Sequence, residues 1–238
     1  MSNAAKRPVC ATCSKPSRLC LCRRLKSPPI ENSIHVTILQ HSLEKDHPLN
    51  STRIAVIGLK SLSVVSVSDV HYEAEHGRLD LDIDIKTISK GFVVKRSQKK
   101  TINGTIEEFE LAIPPGTALL FPSDRAVDPH RIGFESEVKH LIVLDATWAK
   151  AKRMYHENPW LKLLPHLKLE PEGTSLYSEV RHQPKTGCLS TIESVVCALK
   201  TLGDDAEGLD GLLEVFESMV ADQRRCKAEK LSGVAASS

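Results

Sequence analysis

HLIVLDATWAKAKRM, residues His140–Met154, changes character once. Leu141–Leu144 is an apolar run of strand type, short and without a polar break. It stops at Asp145, and a helical pattern carrying Trp148, Ala151 and Met154 follows. A carboxylate, the Thr147 hydroxyl and the Trp148 indole therefore gather at the carboxyl end of a buried strand. In open α/β sheets ligands bind at that end. Asp and Thr at such a turn also serve simply to cap the next helix. A ligand-binding reading and a capping reading both stand on these residues alone.

Outward from this stretch, the chain alternates strands and helices. Ile34–Leu39 reads as a first core strand, ending at Gln40-His41, and Ser51 or Thr52 can cap a helix through Arg53, Ile54, Ile57 and Leu59. Leu62–Val67 reads as a second strand. LDLDIDI, beginning at Leu79, alternates with period two, as a half-exposed strand does. Phe92–Lys95 and Ile106–Leu111 read as short strands, and Asn103-Gly104 between them is a turn signal. Pro114-Pro115-Gly116 breaks the chain before an apolar strand, Thr117–Phe121, which stops at Pro122-Ser123-Asp124. Asn158 and Pro159 end the central helix and can start a short one over Trp160–Leu164. Leu167–Leu169 reads as one more short strand. Ser190 with Glu193 fits a capping box ahead of a helix with one apolar face, Ile192, Val195, Val196, Leu199 and Leu202. A last helix carries Leu209, Leu212, Leu213, Phe216, Met219 and Val220 on one stripe. The sum is an α/β fold with a mostly parallel sheet flanked by helices. The expected division is a small knuckle at 8–26, a catalytic domain at 33–226 and a disordered tail at 227–238.

Composition excludes several classes. With 238 residues and 41% hydrophobic content the chain can bury a substantial core. No run is long or uncharged enough to span a bilayer, so no membrane partner is expected. The opening MSNAAKRPVC lacks the apolar centre of a secretory signal, so the expected location is intracellular, cytoplasmic or nuclear. Neither GxGxxG nor a phosphate loop is present, which removes dinucleotide and P-loop chemistry. The formal net charge is only +2, so any affinity for nucleic acid must be local: CRRLK at 22–26, KRSQKK at 95–100 and KAKR at 150–153. Arg53, Lys150, Arg153, Arg181 and Lys185 are the candidate phosphate contacts. The ten histidines are scattered, which disfavours a metal-dependent hydrolase.

Four of the seven cysteines form Cys10-x2-Cys13-x6-Cys20-x-Cys22. In a reducing compartment disulfides are disfavoured. Four thiolates in a turn-rich segment with no apolar core of its own suit tetrahedral zinc. All four positions are filled by protein, so the site is expected to be structural, with the metal itself folding the segment. Cys188, Cys197 and Cys226 stand alone.

At Asp145-Ala146-Thr147-Trp148 the chain resembles the DTW-domain family, named for its Asp-x-Thr-Trp motif. The order of features carries the resemblance further. A CxxC…CxC knuckle leads. A strand ending in Gln40-His41 with Glu44 close behind follows, then STRIA at 51–55 and LLFPSD at 119–124 before the DATW turn. Arg181 with Pro184, then Leu189-Ser190-Thr191-Ile192-Glu193, comes after it. The likeness spans roughly residues 10–200. Ser42 stands where a proline is usual, and His182 where a second basic residue is usual.

The resemblance implies a tRNA-uridine 3-(3-amino-3-carboxypropyl)transferase using S-adenosylmethionine. It also implies a SPOUT-like fold with a C-terminal knot, which periodicity does not show. Three loops are then expected to wrap the cofactor: Leu120, Phe121, Pro122 and Ser123; Leu144, Asp145 and Trp148; and Leu189, Ser190, Thr191 and Glu193. Asp145, Thr147 and Trp148 are the expected catalytic residues, tRNA the expected partner and structural zinc the second expected cofactor. Asp145 can accept the N3 proton of uridine, attract the sulfonium or hold the cofactor's amino group. Thr147 can cap the helix or bond the cofactor. Trp148 can stack on a base or anchor the core. Two rival readings are a SPOUT-like methyltransferase with the same cofactor and a non-catalytic zinc-knuckle module that binds RNA.

Overall fold

The computed structural model describes residues 8–67, 91–99, 106–129, 138–170, 175–179, 188–204 and 206–235. They divide into two compact units. One comprises residues 1–32, 46–62 and 170–238, the other residues 33–45 and 63–169. The expected strand at Leu79–Ile85 and the turn at Asn103-Gly104 lie outside the described residues.

The second unit holds the sheet. Its strands are β1 (His35–His41), β2 (Leu62–Val67), β5 (Thr117–Leu120), β6 (His140–Asp145) and β7 (His166–Leu167). They lie in the order β2-β1-β6-β5-β7. β6 pairs in parallel with β1 on one side and β5 on the other, and β5 pairs in parallel with β7. A strand covered on both faces should be apolar along its whole length. β1 and β6 are buried almost throughout. β2, at the edge, alternates between half-buried and exposed residues, with Val64 and Ser66 outward. Each of these strands falls within one or two residues of its expected place, and β7 is shorter than expected.

β3 (Phe92–Lys99) and β4 (Ile106–Ile113) form a separate antiparallel pair, with Phe92 opposite Ile113 and Lys99 opposite Ile106. The pair is rooted in the core through Val94 and Ile113. Gly91 enters it at φ +80°, and a Cβ there would stand 2.7 Å from the Ile113 carbonyl oxygen. Both the backbone conformation and the close approach need glycine. The helix α2 (Trp148–Glu157) covers the sheet with Ala151 and Met154. A 3-10 segment, Pro159–Leu163, adds Trp160 and Leu161 to the same apolar cluster.

The first unit is helical. α1 (Thr52–Gly58), α3 (Thr191–Thr201) and α4 (Ala206–Ala235) pack on one another through Ile54, Val195, Leu199, Leu212 and Phe216. α3 ends in a glycine cap. Gly203 takes φ +90°, Gly203 N–H donates to Lys200 and Asp204 N–H to Leu199. α4 continues to Ala235, well into the segment expected to be without structure at 227–238. Ser51 precedes α1 but makes no capping bond; its hydroxyl accepts from Ile192 N–H at 3.3 Å and so ties α1 to α3. Among the described residues no helix is long and apolar enough to cross a membrane.

At the amino end of β6, His140 fastens three strands. Thr117 donates to the Pro114 carbonyl at 2.6 Å, so it accepts His140 Nδ1–H at 2.9 Å. His140 Nε2 is then the acceptor for the Thr37 hydroxyl at 2.8 Å. In this neutral form both ring nitrogens are bonded. Burial, with His35 beside it at 5.2 Å, pushes its pKa down to about 4. A histidine lowered on folding stabilises above its ordinary value, near 6.5, and loses that contribution as pH falls towards 4. The loss should reach roughly 3 kcal/mol. Urea unfolding between pH 7 and pH 4 should show this decline, and His140→Asn should flatten it. Replacement of Gly91 by Ala should cost about 1–3 kcal/mol in the same measurement, because the φ and the contact must both be relieved.

Candidate active site and metal centre

β1, β6 and β5 run the same way, so their carboxyl ends lie side by side. Gln40 is in register with Asp145, and Leu120 with Val143. Three chain segments leave this edge: Ser42–Glu44 after β1, Ala146–Trp148 after β6 and Phe121–Asp124 after β5. Two of the three expected cofactor loops are thus adjacent in one unit. The third, with Leu189, Ser190, Thr191 and Glu193, belongs to the helical unit.

Asp145 is the last residue of β6 and is 9% exposed. A carboxylate so placed needs donors, because it can only accept. Gln40 Nε2 supplies one at 2.7 Å. Glu44, also buried, receives Lys150 from the first turn of α2 at 3.5 Å. Thr147 occupies the N-cap position of α2, yet its side chain makes no capping bond. Capping therefore does not account for its hydroxyl. Trp148 is half-buried, packs against the core cluster and lies 6.5 Å from Phe121, ring centre to ring centre. Phe121 in turn stacks on Tyr155 at 4.5 Å. Trp148 is thus anchored in the core cluster and partly accessible.

Ser123 is tied to the protein through its proton. His166 Nε2–H donates to the Leu161 carbonyl at 2.9 Å, which leaves Nδ1 to accept the Ser123 hydroxyl. Burial lowers the His166 pKa and favours this neutral form. Ser123 Oγ also accepts from Arg125 N–H at 3.3 Å. Towards a ligand the Ser123 oxygen can therefore act only as an acceptor. Leu120 and Leu144 are half-buried and Pro122 is exposed.

In the helical unit the expected capping box is present. Glu193 N–H donates to Ser190 Oγ and Ser190 N–H to Glu193 Oε2. Glu193 also takes the Ser175 hydroxyl at 2.6 Å and Leu176 N–H at 2.8 Å. Its carboxylate therefore staples the Ser175–Glu179 segment to α3. Arg53 donates to the Ser14 carbonyl at 3.5 Å, Lys150 is paired with Glu44, and Arg153 is exposed. Arg181 and Lys185 lie outside the described residues. Two participants have no local signal in the sequence: Gln40, whose partner is 105 residues away, and His166, whose partner is 43 residues away.

The four cysteines of the amino-terminal segment converge. Cys10 and Cys22 sulfurs are 3.9 Å apart, Cys13 and Cys20 sulfurs 3.8 Å, and all four lie within 4.8 Å of one another. Around a tetrahedral metal with bonds of about 2.3 Å, sulfur–sulfur edges are about 3.8 Å. The set can hold one metal ion. Its turn is closed by Ser14 N–H to Cys10 O at 2.9 Å, with Ser14 at φ 55°. Leu21 N–H points at Cys13 Sγ from 3.4 Å. Backbone N–H groups of Cys13 and Thr12 lower the Cys10 thiol pKa, whereas burial raises that of Cys22. Four thiols this close do not ionise together without a cation among them. The knuckle is seated within its unit by Arg24, which reaches Ser218 at 3.0 Å and Asp222 at 2.5 Å on α4. Lys15 is buried and bonds the Pro48 carbonyl; burial, then Arg53, brings its pKa down to about 8. Native mass spectrometry should find one metal per chain, lost in Cys13→Ser together with a fall in the unfolding midpoint.

The family model of the DTW domain matches residues 7–224. The chain is 26% identical over 204 residues to tRNA-uridine aminocarboxypropyltransferase 2 of Mus musculus, covering 85% of this chain and 59% of that relative. It is 27% identical over 197 residues to the Drosophila melanogaster protein of the same name, covering 83% and 67%. It is 26% identical over 247 residues to tRNA-uridine aminocarboxypropyltransferase A of Arabidopsis thaliana, covering 92% and 82%. The chain thus spans less than two thirds of the mouse relative's length. No solved structure matches it.

Proposed function

The chain belongs to the DTW-domain family, and from that premise we propose that it is a tRNA-uridine aminocarboxypropyltransferase. The observation that carries the reading is the family match over residues 7–224, with Asp145, Thr147 and Trp148 at the carboxyl edge of a buried parallel sheet. The donor in this reading is S-adenosylmethionine, which supplies an electrophilic carbon beside its sulfonium. A buried carboxylate with an aromatic face beside it fits a cationic donor of this kind.

The reaction joins N3 of a uridine to the methionyl Cγ. The Cγ–sulfur bond breaks, its electron pair leaves with methylthioadenosine, and the N3 proton passes to a base. Asp145 is that base. A general base works from hydrogen-bond reach or through one water, and the Gln40 amide holds this carboxylate in place at 2.7 Å. Trp148 offers its accessible face to the adenine or to the target base, and the Thr147 hydroxyl bonds the donor. The Ser123 oxygen, an acceptor only, suits the donor's ammonium group. Methyl transfer differs only in which carbon beside the sulfonium is presented, so positioning carries the specificity. Leu189, Ser190, Thr191 and Glu193 are assigned to the donor by resemblance alone.

The tRNA is met by exposed cations. Arg153 on α2 is available, and we assign Arg181 and Lys185 the same role from the resemblance. The four-cysteine knuckle holds zinc in a closed structural site. A SPOUT-like organisation with a C-terminal knot belongs to the same reading, supported by the parallel order of β1, β6 and β5.

Mass spectrometry of a reaction containing S-adenosylmethionine and unmodified tRNA should show methylthioadenosine and a uridine heavier by one aminocarboxypropyl group. Adenosylhomocysteine with a methylated base would instead identify a methyltransferase. Asp145→Asn should lower turnover by ~10²-fold or more while donor binding stays measurable. Near-normal turnover in that variant would remove Asp145 as the base.

A further inference from the structure

We infer that Gln40 is a positioning residue for the transfer, setting the orientation of the Asp145 carboxylate. The inference rests on the transferase reading above and adds to it a residue with no role there. Gln40 and Asp145 are register partners at the ends of adjacent parallel strands, so their side chains leave the sheet on the same side. Both are buried, and Gln40 Nε2 donates to Asp145 Oδ2 at 2.7 Å. The direction of the bond is fixed by chemistry, since an ionised carboxylate accepts and only the amide nitrogen can donate to it.

The choice of an amide has a consequence. A lysine or arginine at position 40 would neutralise Asp145 and hold it as an ion pair. An amide aims the carboxylate without itself adding a charge. The cation of the neighbouring turn, Lys150, is directed to Glu44 at 3.5 Å. Among the described residues, the titratable or charged groups on the elements around Asp145 are His41 at the end of β1 and Glu44 after it, Asp124 and Arg125 beyond β5, and Lys150, Lys152, Arg153, His156 and Glu157 on α2. Gln40 reaches the Asp145 carboxylate from β1.

The test uses two variants of the full chain, assayed for methylthioadenosine with saturating tRNA. Gln40→Glu keeps the shape but replaces a donor with a second carboxylate. It should move the acid limb of the rate profile to higher pH by about one unit or more. Gln40→Leu removes the bond and should lower kcat by ~10–100-fold, with the KM for S-adenosylmethionine within about twofold of wild type. A purely structural glutamine would lower the unfolding midpoint and leave the pH profile of the folded enzyme in place. If Gln40→Leu does not fold, Gln40→Glu carries the test. An unshifted profile in Gln40→Glu, beside an active wild type and an inactive Asp145→Asn, overturns the inference alone. A wild type that makes no methylthioadenosine overturns the transferase reading and the inference with it.

Discussion

The parallel pairing of β6 with β1 and β5 is the constraint from which the rest of the sheet unit follows. A strand flanked on both sides and covered on both faces must be apolar, and LIVL from Leu141 is. Its first polar residue at the carboxyl end has nowhere to go but the edge, where β1 and β5 also end. That is how Asp145, Gln40 and Ser123 come to neighbouring segments although they are distant in sequence. At the amino end the same three strands are fastened through a neutral imidazole, His140, between Thr37 and Thr117. The two ends therefore differ in kind. One is a closed bond network that favours a single protonation state, and the other presents a carboxylate beside an accessible indole.

The strands were legible because their cues are local. Leu62–Val67 has its observed bounds, and β1, β5 and β6 differ from expectation by a residue or two. Pro114-Pro115-Gly116 and Asn158-Pro159 punctuate as their backbone limits require. The capping box at Ser190 and Glu193 was visible for the same reason. The second and third donors to the Glu193 carboxylate, the Ser175 hydroxyl and Leu176 N–H, were not visible, since nothing in a local window links positions 175 and 193.

What the sequence hides is mostly long-range. Parallel strand order, the Gln40–Asp145 bond across 105 positions and the Ser123–His166 bond have no periodic signature. The division into two units is hidden too, because the helical unit is assembled from three separated stretches. Small misreadings have equally plain causes. Ser51 looks like a cap but spends its oxygen on Ile192, and Thr147 sits at the N-cap without bonding the helix. On the last helix Val215 is buried and Leu213 only half-buried, since Val215 stands three residues after Leu212 and four before Met219, on the buried face.

The seat of the knuckle has a thermodynamic consequence for the long helix. Arg24 follows Cys22 closely, and its guanidinium shares the Asp222 carboxylate with Arg225 on α4. The fold of the cysteine turn therefore determines whether a nearly buried carboxylate in the middle of α4 keeps its second cation. Closure of the cysteine turn and local opening of the helix are therefore linked equilibria: what stabilises the turn also holds the backbone amides around Ser218 and Asp222 against exchange with solvent. The cysteine turn thus shares its local stability with a helix that reaches Ala235.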